Sequence, residues 1–205
     1  MAVPLYEQFL CIIQYFISLV ILLGPGSSNK CQVIDVLDSS SSCADLGNYP
    51  IQNDVGAGGV IGGRPLFCGG RTGMVEQSSC YAYNKNLGSW DLFANMAVPR
   101  RSSAGAVVNG KLWVTGGYKQ TTGSYLVSTE FIFQDGTTSA GPDLPEARLR
   151  HCMVTLDDGN VMILGTEGLT DGKSTEIFDP STNTFTAGPD MLFRRGALGV
   201  HFCLH

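Results

Sequence analysis

Basic residues recur along this chain at regular intervals and are its strongest candidates for binding chemistry. They fall at Arg100-Arg101, at Arg148 and Arg150, and at Arg194-Arg195. A guanidinium group presents several N–H donors in one plane and binds carboxylate, sulfate or phosphate through paired hydrogen bonds. The predicted ligand-binding residues, one from each set, are Arg101, Arg150 and Arg195.

A structural role for these arginines is the alternative, and the repetition itself favours it. Glu130 and Glu176 stand at equivalent places in two successive repeats. Each arginine would then pair with one of these carboxylates and hold neighbouring repeats together. The same equivalence argues against a role for the two glutamates as a catalytic acid–base pair.

Catalytic and metal chemistry has little support in the sequence. The three histidines, His151, His201 and His205, are dispersed, and no CxxC motif accompanies them, so we expect no metal site. No G-x-S-x-G motif marks a nucleophilic serine. The acidic stretch at 157–160 (DDGN) could contact calcium, but its composition is that of a turn. We therefore expect neither an enzyme nor a bound cofactor.

Composition points to β structure and away from nucleic acid. The 205 residues include 26 glycines, and 15% of the residues are charged. The formal net charge is −5, whereas nucleic-acid binding depends on clustered Lys and Arg.

The N-terminus has the hydropathy of an export signal. Residues 9–23 are apolar apart from Gln14 and Ser18, and small residues follow at 24–28. About 15 residues fall short of the roughly 20 that a membrane-spanning helix needs. We expect residues 1–28 to be a signal peptide cleaved between Gly26 and Asn29, and the chain to be secreted. An uncleaved membrane anchor at 9–23 and a buried apolar segment are the alternatives.

Four short strands repeat from Val55 onward. The stretch 101–117 (RSSAGAVVNGKLWVTGG) contains two apolar runs separated by Asn109-Gly110, which predicts a hairpin with a type I′ turn. Its closing Gly116-Gly117 also occurs at Gly69-Gly70, and degenerately at Gly165-Thr166, with a period of about 47 residues. Repeats of this length built from strands are typical of propeller blades.

The strand pattern also predicts disulfides. Cys68 ends the second strand of its repeat and Cys80 begins the third, so antiparallel pairing brings them within bonding distance. The same argument pairs Cys31 with Cys43 across a serine-rich turn. Cys152 and Cys203 fall on first strands, where buried thiols are favoured over a mutual bond or partners elsewhere. Such cysteine usage suits an oxidising compartment.

The repeats resemble the kelch family of β-propellers. The resemblance covers about residues 55–205 and rests on the glycine pairs together with recurrent aromatic residues: Tyr81, Tyr83, Trp90, Phe131, Phe133, Phe178 and Phe185. It implies an all-β, partial kelch-type propeller with blades at about 54–99, 100–147 and 148–193. Residues 194–205 would open a fourth blade, and residues 29–53 would be the third and fourth strands of an incomplete one. The remaining blades, or a partner chain, would be needed to close the ring.

The resemblance also implies a function. Kelch propellers present the connection between blades at the mouth of the central channel, where some members bind acidic peptides through arginines. We therefore expect a non-enzymatic, extracellular module that binds a protein or an anionic ligand and contacts membrane only if residues 9–23 are retained. The alternatives are a fragment of a galactose-oxidase-like copper enzyme and a fragment of an intracellular kelch substrate adaptor.

Overall fold

The computed structural model describes residues 19–23, 30–35, 44–50, 56–167 and 172–196. Within these ranges every regular element is a β-strand. This confirms the predicted all-β class.

The N-terminal part of the chain forms a three-stranded antiparallel sheet. Its strands, in spatial order, are β1 (Leu19–Leu23), β2 (Lys30–Asp35) and β3 (Ala44–Asn48). The pairing of β2 with β3, including Gln32 opposite Asp45, agrees with the predicted pair of strands. The third strand, β1, comes from the apolar segment that the sequence predicts to be a leader. A chain cleaved after Gly26 would lose it.

Three four-stranded antiparallel sheets follow, which we call blades 1, 2 and 3. Blade 1 contains β4 (Ala57–Ile61), β5 (Arg64–Cys68), β8 (Ser79–Asn84) and β9 (Ser89–Asn95), in that spatial order. A small hairpin between its second and third strands contains β6 (Arg71–Thr72) and β7 (Val75–Glu76).

Blade 2 repeats this arrangement. Its strands are β10 (Ala104–Val108), β11 (Lys111–Thr115), β14 (Thr129–Ile132) and β15 (Thr138–Ala140). The corresponding small hairpin contains β12 (Tyr118–Lys119) and β13 (Ser124–Tyr125). Blade 3 contains β16 (Cys152–Thr155), β17 (Val161–Leu164), β18 (Thr175–Asp179) and β19 (Thr184–Ala187).

The turn at Asn109-Gly110 has the predicted type I′ geometry. Both residues have positive φ, 49° and 74°, and Val108 pairs directly with Lys111. Positive φ at both central residues matches the right-handed twist of the two strands.

A glycine pair follows the second strand of blade 1 and of blade 2. Gly69 and Gly116 have φ of 68° and 57°, and a Cβ at Gly69 would lie 2.7 Å from the carbonyl oxygen of Arg100. The next amide, that of Gly70, donates to that same carbonyl at 2.8 Å. The glycines therefore let the following connection approach the end of the second strand closely.

Apolar side chains fill the spaces between blades. Leu66 and Cys68 of blade 1 pack with Leu112 and Val114 of blade 2, and all four are completely buried. Between blades 2 and 3, the ring of Trp113 lies 4.5 Å from that of Phe178. Buried apolar surface between adjacent sheets is the main stabilising term of this architecture.

An aromatic cluster links the N-terminal sheet to blade 1. Tyr49, which follows β3, is buried, and its ring lies 5.2–5.4 Å from those of Phe67, Tyr81 and Trp90. The contacts are edge-to-face, which suits the ring quadrupoles. The tyrosine thereby holds β3 beside the outer strand of blade 1.

Candidate interaction surface

The connection from blade 1 to blade 2 is fastened by a buried arginine. The side chain of Arg100 is fully buried and donates to the carbonyl oxygens of Gly116 (2.9 Å) and Ser128 (2.7 Å) and to Glu130 (3.0 Å). Burial lowers the pKa of Arg100, and the hydrogen bond and charge of Glu130 act against that shift. The carboxylate of Glu130 also accepts the backbone amides of residues 97 and 98, at 2.6 and 3.0 Å.

Arg148 has the same role at the start of blade 3. It donates to the carbonyl oxygens of Gly165 (2.9 Å) and Ser174 (3.2 Å), and its Nε lies 3.4 Å from Glu176. A second carboxylate, that of Glu146, lies 2.5 Å from the guanidinium. Burial raises the pKa of Glu176, and the negative charge of Glu146 adds to the shift while Arg148 opposes it.

The structural role predicted for a junction arginine is therefore filled by Arg100 and Arg148. Arg101 and Arg150, which the sequence predicts to be equivalent residues of two repeats, do not pair with Glu130 or Glu176.

The backbone corrects the predicted equivalence of Arg101, Arg150 and Arg195. The backbone amide of the second residue of each glycine pair, or of Thr166 in blade 3, donates to the carbonyl oxygen of an arginine. The three bonds are Gly70 to Arg100 (2.8 Å), Gly117 to Arg148 (2.7 Å) and Thr166 to Arg195 (3.0 Å). Arg195 is therefore the counterpart of Arg100 and Arg148.

Arg150 has a different counterpart again. It shares the left-handed backbone of Ser102, with φ of 51° and 55° respectively. Arg101 corresponds to Leu149. The carbonyl oxygen of Arg101 accepts the amide of Tyr118, which follows Gly116-Gly117, and that of Leu149 accepts the amide of Glu167, which follows Gly165-Thr166. The three predicted ligand-binding residues thus belong to three different positions of the repeat.

Arg101 joins the small hairpins of two successive blades. Its Nε lies 3.3 Å from Glu76 in β7 of blade 1. Its guanidinium carbon lies 4.9 Å from the centre of the Tyr118 ring, in β12 of blade 2. Arg101 and Tyr118 also exchange both backbone hydrogen bonds, at 3.2 and 2.8 Å. Ion pairing, cation–π contact and a β-bridge therefore fix the two hairpins next to each other.

Arg150 is also engaged within the chain. Its Nη1 lies 2.8 and 3.0 Å from the two carboxylate oxygens of Glu167. An anionic ligand at Arg101 or Arg150 would have to displace Glu76 or Glu167. Arg195 differs from both, since its side chain is exposed.

Large apolar side chains are exposed on the two small hairpins. Met74 and Val75 of the blade 1 hairpin are 71% and 64% exposed. On the blade 2 side, Tyr125 is 40% exposed and packs edge-on against Tyr118 at 5.3 Å. We call the group of Met74, Val75, Arg101, Tyr118 and Tyr125 the hairpin surface. Overall composition does not indicate the hairpin surface. Two adjacent apolar residues, Met74 and Val75, in the variable loop after Gly69-Gly70 are the sequence feature that indicates it.

His151 is buried at the junction between blades 2 and 3. Its Nε2 lies 2.7 Å from the hydroxyl of Thr115, and complete burial, reinforced by the charge of Arg148, lowers the pKa of His151 to about 3. The imidazole is therefore neutral at physiological pH and is enclosed within the protein. It packs and hydrogen-bonds rather than transferring protons to a ligand.

The acidic stretch at 157–160 forms the predicted turn. The amide of Leu156 donates to the carbonyl of Asn160 at 2.8 Å, and the carboxylate of Asp158 accepts the amide of Asn160 at 2.9 Å. Across the part of the chain that the structure describes, no three His, Cys, Asp or Glu side chains converge as metal ligands would. His201 and His205 lie outside the described residues.

Cys68 and Cys80 form the predicted disulfide. They are directly opposite in the pairing of β5 with β8, and both are completely buried. Cys43 and Cys203 lie outside the described residues, so the bond from Cys31 to Cys43 stays a prediction. Cys152 begins β16 and is partly buried.

None of the described residues belongs to a helix that is long and apolar enough to span a membrane.

Comparisons with known proteins agree with the fold. No protein-family model matches the chain. Beta-scruin of Limulus polyphemus is 25% identical over 141 residues, covering 63% of this chain and 14% of its own length. The solved structure of YjhT superposes with a TM-score of 0.74 at 15% identity, covering 87% of this chain and 64% of that one. The chain thus spans only part of the length of both proteins.

The repeated four-stranded sheets and the superposition together establish the architecture: this chain folds as a partial kelch-type β-propeller.

Proposed function

We propose that the chain is a protein-interaction module that binds its partner through the hairpin surface. One observation carries the proposal: large apolar side chains are exposed on hairpins that the chain holds rigidly in place. Met74 and Val75 are 71% and 64% exposed, and Arg101 ties their hairpin to the neighbouring one. Rigid apolar residues next to aromatic rings are typical anchors of protein interfaces.

The partner we propose is a protein that presents apolar side chains. Anionic recognition through Arg101, Arg150 and Arg195 has weaker support, because Glu76 and Glu167 already satisfy the first two. Extracellular location is part of the proposal and is supported by the bond between Cys68 and Cys80, since disulfides persist in oxidising compartments.

Position-specific photo-cross-linking tests the proposal. A photoreactive amino acid is placed at Met74 in one variant and at Leu87 in another. Leu87 is a matched control because it is 73% exposed and lies in the turn between β8 and β9, outside the hairpin surface. We expect a protein adduct from position 74 that position 87 does not give, and that Val75→Ser abolishes. Equal adducts from both positions would overturn the proposal.

Two further measurements distinguish the proposed module from an anion-binding module and from a fragment of a copper enzyme. An acidic peptide that competes with the adduct, and loses that effect in the Arg101→Ala variant, would favour an anionic ligand instead. Copper bound in a 1:1 ratio to the purified chain would favour a fragment of a copper enzyme.

A further inference from the structure

We propose that the junction between blades 2 and 3 is a proton-binding joint, in which Glu176 takes up a proton in mild acid and the two blades then hold each other more firmly. No residue of the hairpin surface takes part, so the failure of one proposal leaves the other intact.

The junction between blades 1 and 2 shows what a balanced arrangement looks like. The buried guanidinium of Arg100 faces one carboxylate, that of Glu130, at 3.0 Å. The amides of Ala97 and Val98 donate to the same carboxylate at 2.6 and 3.0 Å. One positive charge therefore meets one negative charge, and backbone donors take the place of the water that burial removes.

The two junctions can be aligned residue by residue. Met96 and Leu144 each lie four residues before a junction arginine. The amide of each donates to a carbonyl just before the third strand of its blade, at 2.8 and 2.9 Å. Residues 145–146 of the second junction therefore take the places of residues 97–98 of the first.

Two residues change the charge balance at the second junction. Pro145 has no amide hydrogen, so the bond that Ala97 donates to Glu130 has no counterpart there. Glu146 adds a carboxylate 2.5 Å from the guanidinium of Arg148, where the first junction has the apolar side chain of a valine. One buried arginine thus faces two carboxylates, those of Glu146 and Glu176.

Glu176 is the carboxylate with the weaker set of partners. It is opposite Ile163 on the face of blade 3 that packs against blade 2, and its side chain is 11% exposed. Its Oε2 lies 3.4 Å from Nε of Arg148 and accepts no hydrogen bond from the described residues. Glu146 accepts hydrogen bonds from Arg148 and from the Ser174 hydroxyl, the latter at 2.6 Å.

A single proton restores the balance that the first junction has. With Glu146, Arg148 and Glu176 all ionised, one negative charge is uncompensated in a largely buried site, which is unfavourable. A proton on Glu176 leaves one guanidinium with one carboxylate. Burial, together with the charge of Glu146, accordingly raises the pKa of Glu176, and Arg148 opposes the shift.

The direction of the effect on stability follows from this. Because the folded protein binds the proton more tightly than the unfolded chain does, the contribution of Glu176 is complete below pH 4.5, the ordinary glutamate pKa. It is lost as the pH rises through the pKa of Glu176 in the folded protein. The joint is therefore firmer in mild acid than at neutral pH.

Other charged groups at the junction must be separated from Glu176. His151, whose pKa is lowered by burial and by the charge of Arg148, changes stability with pH in the opposite direction. Arg150 and Glu167 form a more exposed ion pair, with side chains 22% and 47% exposed. A Glu176→Gln variant keeps all of these groups, so its difference from wild type isolates the contribution of Glu176.

Carbon NMR of the glutamate carboxyl groups in the full chain tests the proposal. We expect the titration midpoint of Glu176 to lie above pH 4.5 and to move down toward that value in Glu146→Gln. Glu167→Gln is the matched control and should leave the midpoint in place, because Glu167 pairs with Arg150 instead. A Glu176 midpoint at or below pH 4.5, one unchanged in Glu146→Gln, or an equal shift in Glu167→Gln would overturn the proposal.

Urea denaturation from about pH 4.5 to about pH 8 measures the effect on the joint. Glutamine at position 176 imitates the protonated carboxyl. We expect the stability of Glu176→Gln relative to wild type to increase as the pH rises and then to level off. A difference that is independent of pH, or that decreases as the pH rises, would contradict a proton-binding joint. If Glu176→Gln does not fold, the NMR comparison of wild type with Glu146→Gln decides.

Discussion

Two adjacent arginines, Arg100 and Arg101, differ in what surrounds them, and that difference decides their roles. The first is completely enclosed and holds Glu130, whose carboxylate also accepts two backbone amides. The second is 20% exposed and lies between two surface hairpins. Charge and sequence position alone do not separate them, whereas burial does.

Replacing each arginine should therefore have very different effects on stability. Arg100→Met leaves Glu130 buried without its counter-charge, and we expect a loss of about 3–5 kcal/mol in the free energy of unfolding. Arg101→Ala removes a partly exposed ion pair and should cost about 1 kcal/mol or less. Urea denaturation measures both. Equal losses would show that Arg101 is also a structural junction residue.

His151 should make the protein less stable in mild acid. Its pKa is about 3 in the folded protein and 6.5 for an unperturbed histidine, so the unfolded chain takes up a proton that the folded chain refuses. The contribution is complete above pH 6.5 and falls by roughly 1.4 kcal/mol for each pH unit below it, until about pH 3. We expect His151→Gln, which does not titrate, to give a flatter stability curve between pH 6.5 and 4.5. Parallel curves for the two proteins would contradict the assignment.

At this scale the sequence predicted some contacts and missed others for definable reasons. The bond between Cys68 and Cys80 was predictable because strand pairing fixes which residues are opposite. The arginine alignment was wrong because Arg148 and Arg150 are separated by one residue whereas Arg100 and Arg101 are adjacent. Backbone hydrogen bonds at Gly70, Gly117 and Thr166 resolve that ambiguity.

Glycines at the ends of second strands set the position of each following element. Gly116 has φ of 57°, and a Cβ there would collide with the carbonyl oxygen of Arg148. Gly123, in the hairpin of blade 2, has φ of 64° with open space around it. An alanine would adopt a strained positive φ at both positions, but its Cβ would also clash only at position 116.

Gly116→Ala should therefore destabilise the protein far more than Gly123→Ala. We expect roughly 2–4 kcal/mol for the first, from strain together with displacement of the connection, and about 1 kcal/mol for the second, from strain alone. Thermal unfolding of the two variants gives the comparison. Similar midpoints would mean that the junction accommodates a Cβ.

The N-terminal strand β1 is the element on which sequence and structure differ most. Hydropathy alone predicts a leader for 1–28, because an apolar run in a signal and an apolar run in a buried strand have the same composition. Leu19–Leu23 pairs along its whole length with β2, and the N-terminus of the mature protein decides between a retained strand and a cleaved leader.

We expect the mature protein to begin between Gly26 and Asn29, so that its sheet lacks Leu19–Leu23. Intact-mass measurement and N-terminal sequencing of the protein purified from its natural source test this. An N-terminus at or before Leu19 would contradict this prediction and agree with the paired strand. An N-terminus near Asn29 would show that the segment is a cleaved leader and that β1 is absent from the mature sheet.

For the molecule as a whole, the propeller architecture was predictable because the repeat constrains it several times over. Glycine pairs and aromatic residues at fixed spacing each occur in more than one unit. The hairpin surface was not predictable in the same way, since loops between the second and third strands differ in sequence from blade to blade. Exposure of Met74 and Val75 is visible only once the fold is known.

Binding of the cross-linked partner by purified protein is the most direct test of the account. Calorimetric titration would compare the wild-type chain, the double variant Met74→Ser with Val75→Ser, and the control Leu87→Ser. Loss of two apolar anchors should weaken binding at least tenfold, corresponding to about 1.4 kcal/mol or more, and the control should stay within twofold of wild type. Unchanged affinity in the double variant, or an equal loss in the control, would contradict a partner site on the hairpin surface.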